Sequence, residues 1–146
     1  MALPEPECGL VISYSYLWKH ESDAGQSEGV KDRPCAIVLA VGAKDHAVKM
    51  VTVAPITHTP PRDPALAIEI PPRVKLHLGL DAERSWIVLD EFNEFVWPGF
   101  DLRSVPGKPS CYDYGFLPPA LFAKIVERIL ELRRSGRAVS SPRDSL

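Results

Sequence analysis

Two short apolar runs, at 35–41 and 48–56, constrain this chain more than any other feature. Each is rich in Val, Ile and Ala and bounded by turn-forming residues, which reads as a strand. The first has no polar alternation and suits a strand covered on both faces. Suppose the two strands, joined by a turn at 42–47, are antiparallel neighbours. The entry of one then lies beside the exit of the other. Arg33, fixed by Pro34, stands at that entry, and Thr57 and His58 stand at that exit. A guanidinium, a hydroxyl and an imidazole would therefore meet at one rim of a sheet. Such a group can bind and cleave a phosphodiester.

The remaining segments fit the same architecture. Ile12, Tyr14, Tyr16 and Trp18 alternate with Ser13 and Ser15, giving a strand with one bulky, core-facing side. Residues 19–32 are charged and aperiodic and read as a long polar loop. A short strand at 65–70 stops at Pro71-Pro72, and 74–78 forms at most one or two helical turns closed by Gly79. Residues 85–97 read as a strand bent at Asp90-Glu91. Residues 104–114 form a connector. Pro118-Pro119 opens a helix whose apolar stripe is Leu121, Phe122, Ile125, Ile129 and Leu132. Gly136 is placed to end that helix, with a polar tail beyond. Mainly β structure with a C-terminal α-helix describes a strongly bent antiparallel sheet or partly open barrel. One domain at 9–136 is expected, with terminal tails at 1–8 and 137–146.

Composition narrows the function classes. At 146 residues the chain can bury a core without disulfides or metal. Its net charge of −2 announces no general affinity for nucleic acid, so such binding requires a local positive patch. The three cysteines, Cys8, Cys35 and Cys111, are widely spaced and form no metal-binding pair. No glycine-rich phosphate loop or βαβ alternation is present. With no leader pattern and no membrane-length apolar run, a cytoplasmic protein away from membranes is expected.

In order, strand, charged loop, Arg33-Pro34 with an apolar strand, Ala54-Pro55-Ile56-Thr57, short strand, Val88-Leu89-Asp90-Glu91 and C-terminal helix resemble the PemK/MazF-like toxins of bacterial toxin–antitoxin pairs. The resemblance covers roughly 9–136. It implies a homodimeric SH3-like barrel that cleaves single-stranded RNA without metal or cofactor and is neutralised by a small antitoxin protein. It matches Arg33 and Thr57 to the family's arginine and threonine, Ser27-Glu28 to a loop Ser-Glu pair, and Asp90 to a later aspartate. Glu91 stands where the family usually has glutamine, and Asn93 where many members have a basic residue. Val88 occupies the place of an arginine used by one branch. His20 lies far upstream of the loop histidine used by another. The same fold is also associated with a toxin that poisons DNA gyrase. A non-catalytic protein-binding or RNA-binding module is therefore the competing reading.

The residues suggest a division of labour. Metal-free cleavage needs a neighbouring 2′-hydroxyl, a base, an acid for the leaving 5′-oxygen and a cation for the phosphorane. Arg33 suits the last role, because its planar fork spans two phosphate oxygens and stays charged. Thr57 can donate to a phosphate oxygen or bond a turn backbone. Glu28 and His58 compete as proton carriers, and Asp90 either bonds the substrate or caps the bend. Lys19, Lys31 and Arg62 are candidates for phosphate contact. Trp18, Phe92, Phe95 and Trp97 are candidates for base stacking or for core.

Overall fold

The computed structural model describes residues 3–25, 31–42 and 48–143. Its strands are β1 (Leu10–Tyr14), β2 (Arg33–Gly42), β3 (Lys49–Thr57), β4 (Ala67–Glu69), β5 (Trp86–Val88), β6 (Glu91–Val96), β7 (Asp113–Phe116) and β8 (Val139–Pro142). Its helices are α1 (Lys19–Asp23), α2 (Pro72–Leu78) and α3 (Pro119–Arg134). The strands form one sheet in the order β4-β5-β3-β2-β1-β7, and β6 joins it beside β3. All pairings are antiparallel except that of β6 with β8, which is parallel. Among the described residues no pairing joins β4 to β7, so the sheet stays open.

β3 is the hub. One edge pairs with β2 in the register Cys35↔Pro55 to Ile37↔Val53, and Val38 bulges out before Leu39↔Thr52. The other edge is shared. Met50–Val53 pair with β6, while Ile56 and Thr57 pair with β5. β5 and β6 are thus the two halves of the strand expected at 85–97, broken at Leu89-Asp90.

Two apolar clusters sandwich the central strands. Val11, Ala36, Ala54, Ile56 and Ile87 pack under α3, against Ile125, Ile129 and Leu132. Ile12, Tyr14, Cys35, Ile37, Val53 and Phe95 pack on the opposite face. This two-sided burial explains why 35–37 carries no alternation. The far half of the run is different, because Leu39 and Val41 are exposed beyond the bulge.

The sequence expectation for α3 holds in detail. Pro119 opens it, and Gly136, at φ 72°, ends it. Arg137 N–H donates to the Leu132 carbonyl at 2.8 Å and Gly136 N–H to that of Arg133 at 3.0 Å, the pattern of a Schellman cap. Gly79, at φ 70°, closes α2 in the same way.

Three expectations are corrected. The loop at 19–32 contains α1, because Glu21 folds back to accept a hydrogen bond from Trp18 N–H at 3.0 Å. The connector at 104–114 runs into β7, which pairs with β1. The polar tail after Gly136 contains β8, which pairs with β6. Behind β8, Arg143 donates to the Ser15 carbonyl at 2.7 Å and to Asn93 Oδ1 at 3.0 Å, and pairs with Asp101 at 2.8 Å. No helix among the described residues is long and apolar enough to cross a membrane.

Asn93 is fully buried and ties these parts together. It accepts from Leu17 N–H at 2.9 Å and donates to the Leu17 carbonyl at 2.8 Å. Asn93→Ala leaves both backbone groups without a partner in a dry site. It should lower unfolding free energy by about 3 kcal/mol, read from the urea midpoint at unchanged slope. A loss below about 1 kcal/mol would show that this bridge contributes little.

Candidate functional site

Carrying the β2–β3 register two places beyond Cys35↔Pro55 sets Arg33 opposite Thr57. Tyr14 lies across from Arg33 on β1, and Trp86 across from Thr57 on β5. The expected rim is therefore present. Its rigidity comes from behind, since Cys35, Ala36, Val53 and Ala54 are fully buried.

Arg33 is half-buried, with its guanidinium carbon 4.9 Å from the centre of the Trp18 ring. That stacking fixes the plane of the fork without consuming its outer donors. Its Nε is buried and has no hydrogen-bond partner among the described residues, and none of their carboxylates pairs with it. Thr57 Oγ1 accepts from Thr59 N–H at 3.2 Å. The turn-capping role expected for it is real, and its hydroxyl hydrogen stays available to donate.

Two cavities meet at this pair. One, of about 520 Å³, is lined by Asp32, His58, Asp81, Lys108, Asp113 and Tyr114, among others. The second, of about 480 Å³, is lined by Trp18, His20, Pro60, Pro61, Arg62, Leu66, Val88 and Asp90, among others. Lys31, Arg33, Thr57 and Thr59 line both. Arg33 and Thr57 thus form the divide of one continuous groove, with a polar chamber on one side and a flatter, more apolar one on the other.

Asp90 occupies the second chamber, half-buried at the break between β5 and β6. Burial pushes its carboxyl above the usual aspartate range, opposed by its own backbone and by Arg137. Glu91 is raised for the same leading reason, but it faces Tyr16 and the backbone of Lys19.

His58 occupies the first chamber. Its Nε2 lies 2.8 Å from Asp81 Oδ2 and its Nδ1 lies 3.3 Å from Glu83 Oε2. Both contacts are hydrogen bonds at once only when both ring nitrogens carry hydrogen. Behind Asp81 stands Lys75, buried although charged, with Nζ 2.6 Å from Asp81 Oδ1 and 2.7 Å from Ser85 Oγ. Lys75 also donates to the Glu83 carbonyl. This ammonium holds the Asp81 carboxyl below the usual range. His58, Asp81 and Glu83 bring one nitrogen and two carboxylate oxygens within 4.8 Å of one another. A divalent cation there would compete with the ammonium already on Asp81.

The sequence candidates divide accordingly. Arg33, Thr57, His58, Lys31, Arg62 and Asp90 line the groove. Glu28 lies outside the described residues. Lys19 lines neither chamber and pairs with Asp23 at 3.0 Å, one helical turn away. Its neighbour His20 lines the groove instead. Phe92 and Phe95 are buried core, whereas Trp18 borders the groove under Arg33. Lys75, Asp81, Glu83 and Lys108 carried no sequence signal, because a helix, a loop and a connector deliver them to the site. No protein-family model matches the chain, and no curated protein or solved structure does either.

The Asp90 carboxylate is held where ionisation is disfavoured, which has a measurable consequence. Its folded-state pKa is raised, so wild-type stability falls as pH climbs from the unfolded value of about 3.9 through the folded value. Asp90→Asn removes that loss. The variant should melt higher than wild type at pH 7, and the gap should close below about pH 4. A variant less stable than wild type at pH 7 would show that Asp90 is stabilised where it sits.

Proposed function

We propose that this chain is a PemK/MazF-like toxin, an endoribonuclease that cuts single-stranded RNA by attack of the neighbouring 2′-hydroxyl. In this reading its bent sheet is an SH3-like barrel. The observation that carries the proposal is the placement of Arg33 and Thr57 on the divide between two chambers, with Asp90 on one side and His58 on the other.

Displacement at phosphorus puts the attacking 2′-oxygen and the leaving 5′-oxygen on opposite sides of the phosphate. A phosphate seated on Arg33 and Thr57 would turn one of these oxygens toward each chamber. The guanidinium fork would hold both non-bridging oxygens and follow their charge as it grows, while the Thr57 hydroxyl donates a further hydrogen bond. Asp90, raised toward the working pH by burial, is matched to take the 2′-proton. His58, in the other chamber, would give one to the departing 5′-oxygen. The 2′-oxygen then bonds phosphorus, the P–O5′ bond breaks, and a 2′,3′-cyclic phosphate and a 5′-hydroxyl result.

Binding needs less charge than the chain's total suggests. Arg62 lines one side of the seat, Lys108 the other and Lys31 both, so cations flank the seat on an acidic protein. The stacked Trp18 and the prolines at 60 and 61 provide flat surface for a base. Growth inhibition by mRNA cleavage, neutralisation by a small antitoxin and homodimerisation belong to the same proposal. The exposed Leu39, Val41 and Met50, on adjoining strands beyond the Val38 bulge, supply apolar surface for the dimer.

Arg33→Ala should lower single-turnover cleavage about 1,000-fold with the fold intact by circular dichroism, and should remove growth inhibition on expression. An RNA with hydrogen in place of the 2′-hydroxyl at the cut should bind with little change and resist cleavage. Cleavage that survives either change, or that stops when divalent ions are chelated, would contradict this mechanism.

A further inference from the structure

The polar chamber contains more machinery than a phosphate seat requires. A lysine is buried behind its Asp81 wall, and two carboxylates bracket its one imidazole. We propose that His58 donates its Nδ1 proton to the leaving 5′-oxygen, and that Asp81 and Lys75 form a positioning pair for it. The donor role rests on the nuclease reading above; the positioning role rests on geometry alone.

Asp81 and Glu83 differ in how firmly they are held. Asp81 Oδ1 is fixed by the Lys75 ammonium at 2.6 Å and accepts from Glu83 N–H at 3.1 Å, leaving Oδ2 aimed at His58 Nε2. Lys75 is itself clamped between α2 and the start of β5 by Ser85. The Glu83 side chain has no such support: it is 72% exposed and touches Nδ1 at a longer 3.3 Å. An incoming phosphodiester repels both carboxylates, and only Glu83 is free to leave. The ring is thereby left gripped at Nε2, with Nδ1–H uncovered. Facing the same chamber are Lys31 and Asp32 at the entry of β2, and Lys108 and Asp113 near β7. With Arg33 and Asp81 counted, the lining charges balance at three of each sign, and Asp81 is the lining charge in contact with the ring.

The step closes in protons. As the P–O5′ bond breaks, its electron pair goes to O5′, which takes the Nδ1 proton. The now neutral ring keeps its hydrogen on Nε2, donated to Asp81, and water restores the proton at Nδ1. The single bond to Asp81 therefore selects which nitrogen acts.

Asp81→Asn tests this without changing shape. Its amide oxygen stays on the Lys75 ammonium, which turns the NH₂ group toward His58. The ring must then accept at Nε2 and carry its hydrogen on Nδ1. Histidine ¹⁵N spectra of the full chain at high pH should show an Nε2–H ring at His58 in wild type and an Nδ1–H ring in the variant. With an RNA spanning the mapped cut, kcat should fall about 100-fold with KM nearly unchanged. Sulfur in place of the scissile 5′-oxygen leaves without a proton. On that substrate Asp81→Asn and His58→Gln should recover to within about tenfold of wild type, whereas Arg33→Ala should not. An unchanged tautomer overturns the positioning role. Failed sulfur rescue, with wild-type cleavage intact, overturns the donor role alone. A wild type that cuts no RNA overturns the nuclease reading and the donor role together, and the ¹⁵N result still decides the hold of Asp81 on His58.

Discussion

The pairing of β2 with β3 is the constraint on which the rest of this molecule depends. Side chains alternate along a strand, so a slip of one residue would send Arg33 to the face opposite Thr57. The register is fixed where it matters, because residues 35–37 and 53–54 are buried against clusters on both faces. The bulge at Val38 falls on the far side of this locked stretch, so the extra twist it introduces acts on the exposed end. The Arg33–Thr57 pair thus sits on rigid strand ends, while loops and the α2–β5 turn provide the walls. A site built this way can vary its walls without losing its centre.

Charge is arranged against stability in two places. Asp90 is held where ionisation is unfavourable, and Arg33 has a buried Nε with no partner among the described residues. Neither arrangement serves folding. Both make sense if a substrate supplies what is missing: a proton to be taken in one chamber and anionic oxygens on the divide. Lys75 shows the opposite economy. It is buried, but Asp81, Ser85 and the Glu83 carbonyl satisfy it completely, so its charge is spent on holding a neighbour.

How much of this was legible in the sequence follows from where each signal is stored. The central strands, the apolar stripe of α3 and the glycine stops at 79 and 136 were readable, because periodicity and backbone conformation are local properties. So was the meeting of Arg33 and Thr57, once the two apolar runs are taken as antiparallel neighbours. β8 was not, because Val-Ser-Ser-Pro has no core-forming pattern. It is held by its ladder to β6 and by the burial of Arg143 beside Asp101. α1 escaped because its cap is a buried glutamate folded back on a tryptophan N–H. The Lys75–Asp81–His58 chain is the clearest case of information stored only in three dimensions. A helical lysine, a loop aspartate and a strand-end histidine share no spacing that chemistry would recognise.

The central claim is that the Arg33–Thr57 divide seats a phosphodiester whose own 2′-hydroxyl performs the attack. The masses of the fragment ends test it most directly, after incubation of single-stranded RNA with the purified protein. The account predicts fragments ending in 2′,3′-cyclic phosphate and beginning with 5′-hydroxyl. Fragments ending in 3′-hydroxyl and beginning with 5′-phosphate would mean that water or another external nucleophile attacks, and would contradict it.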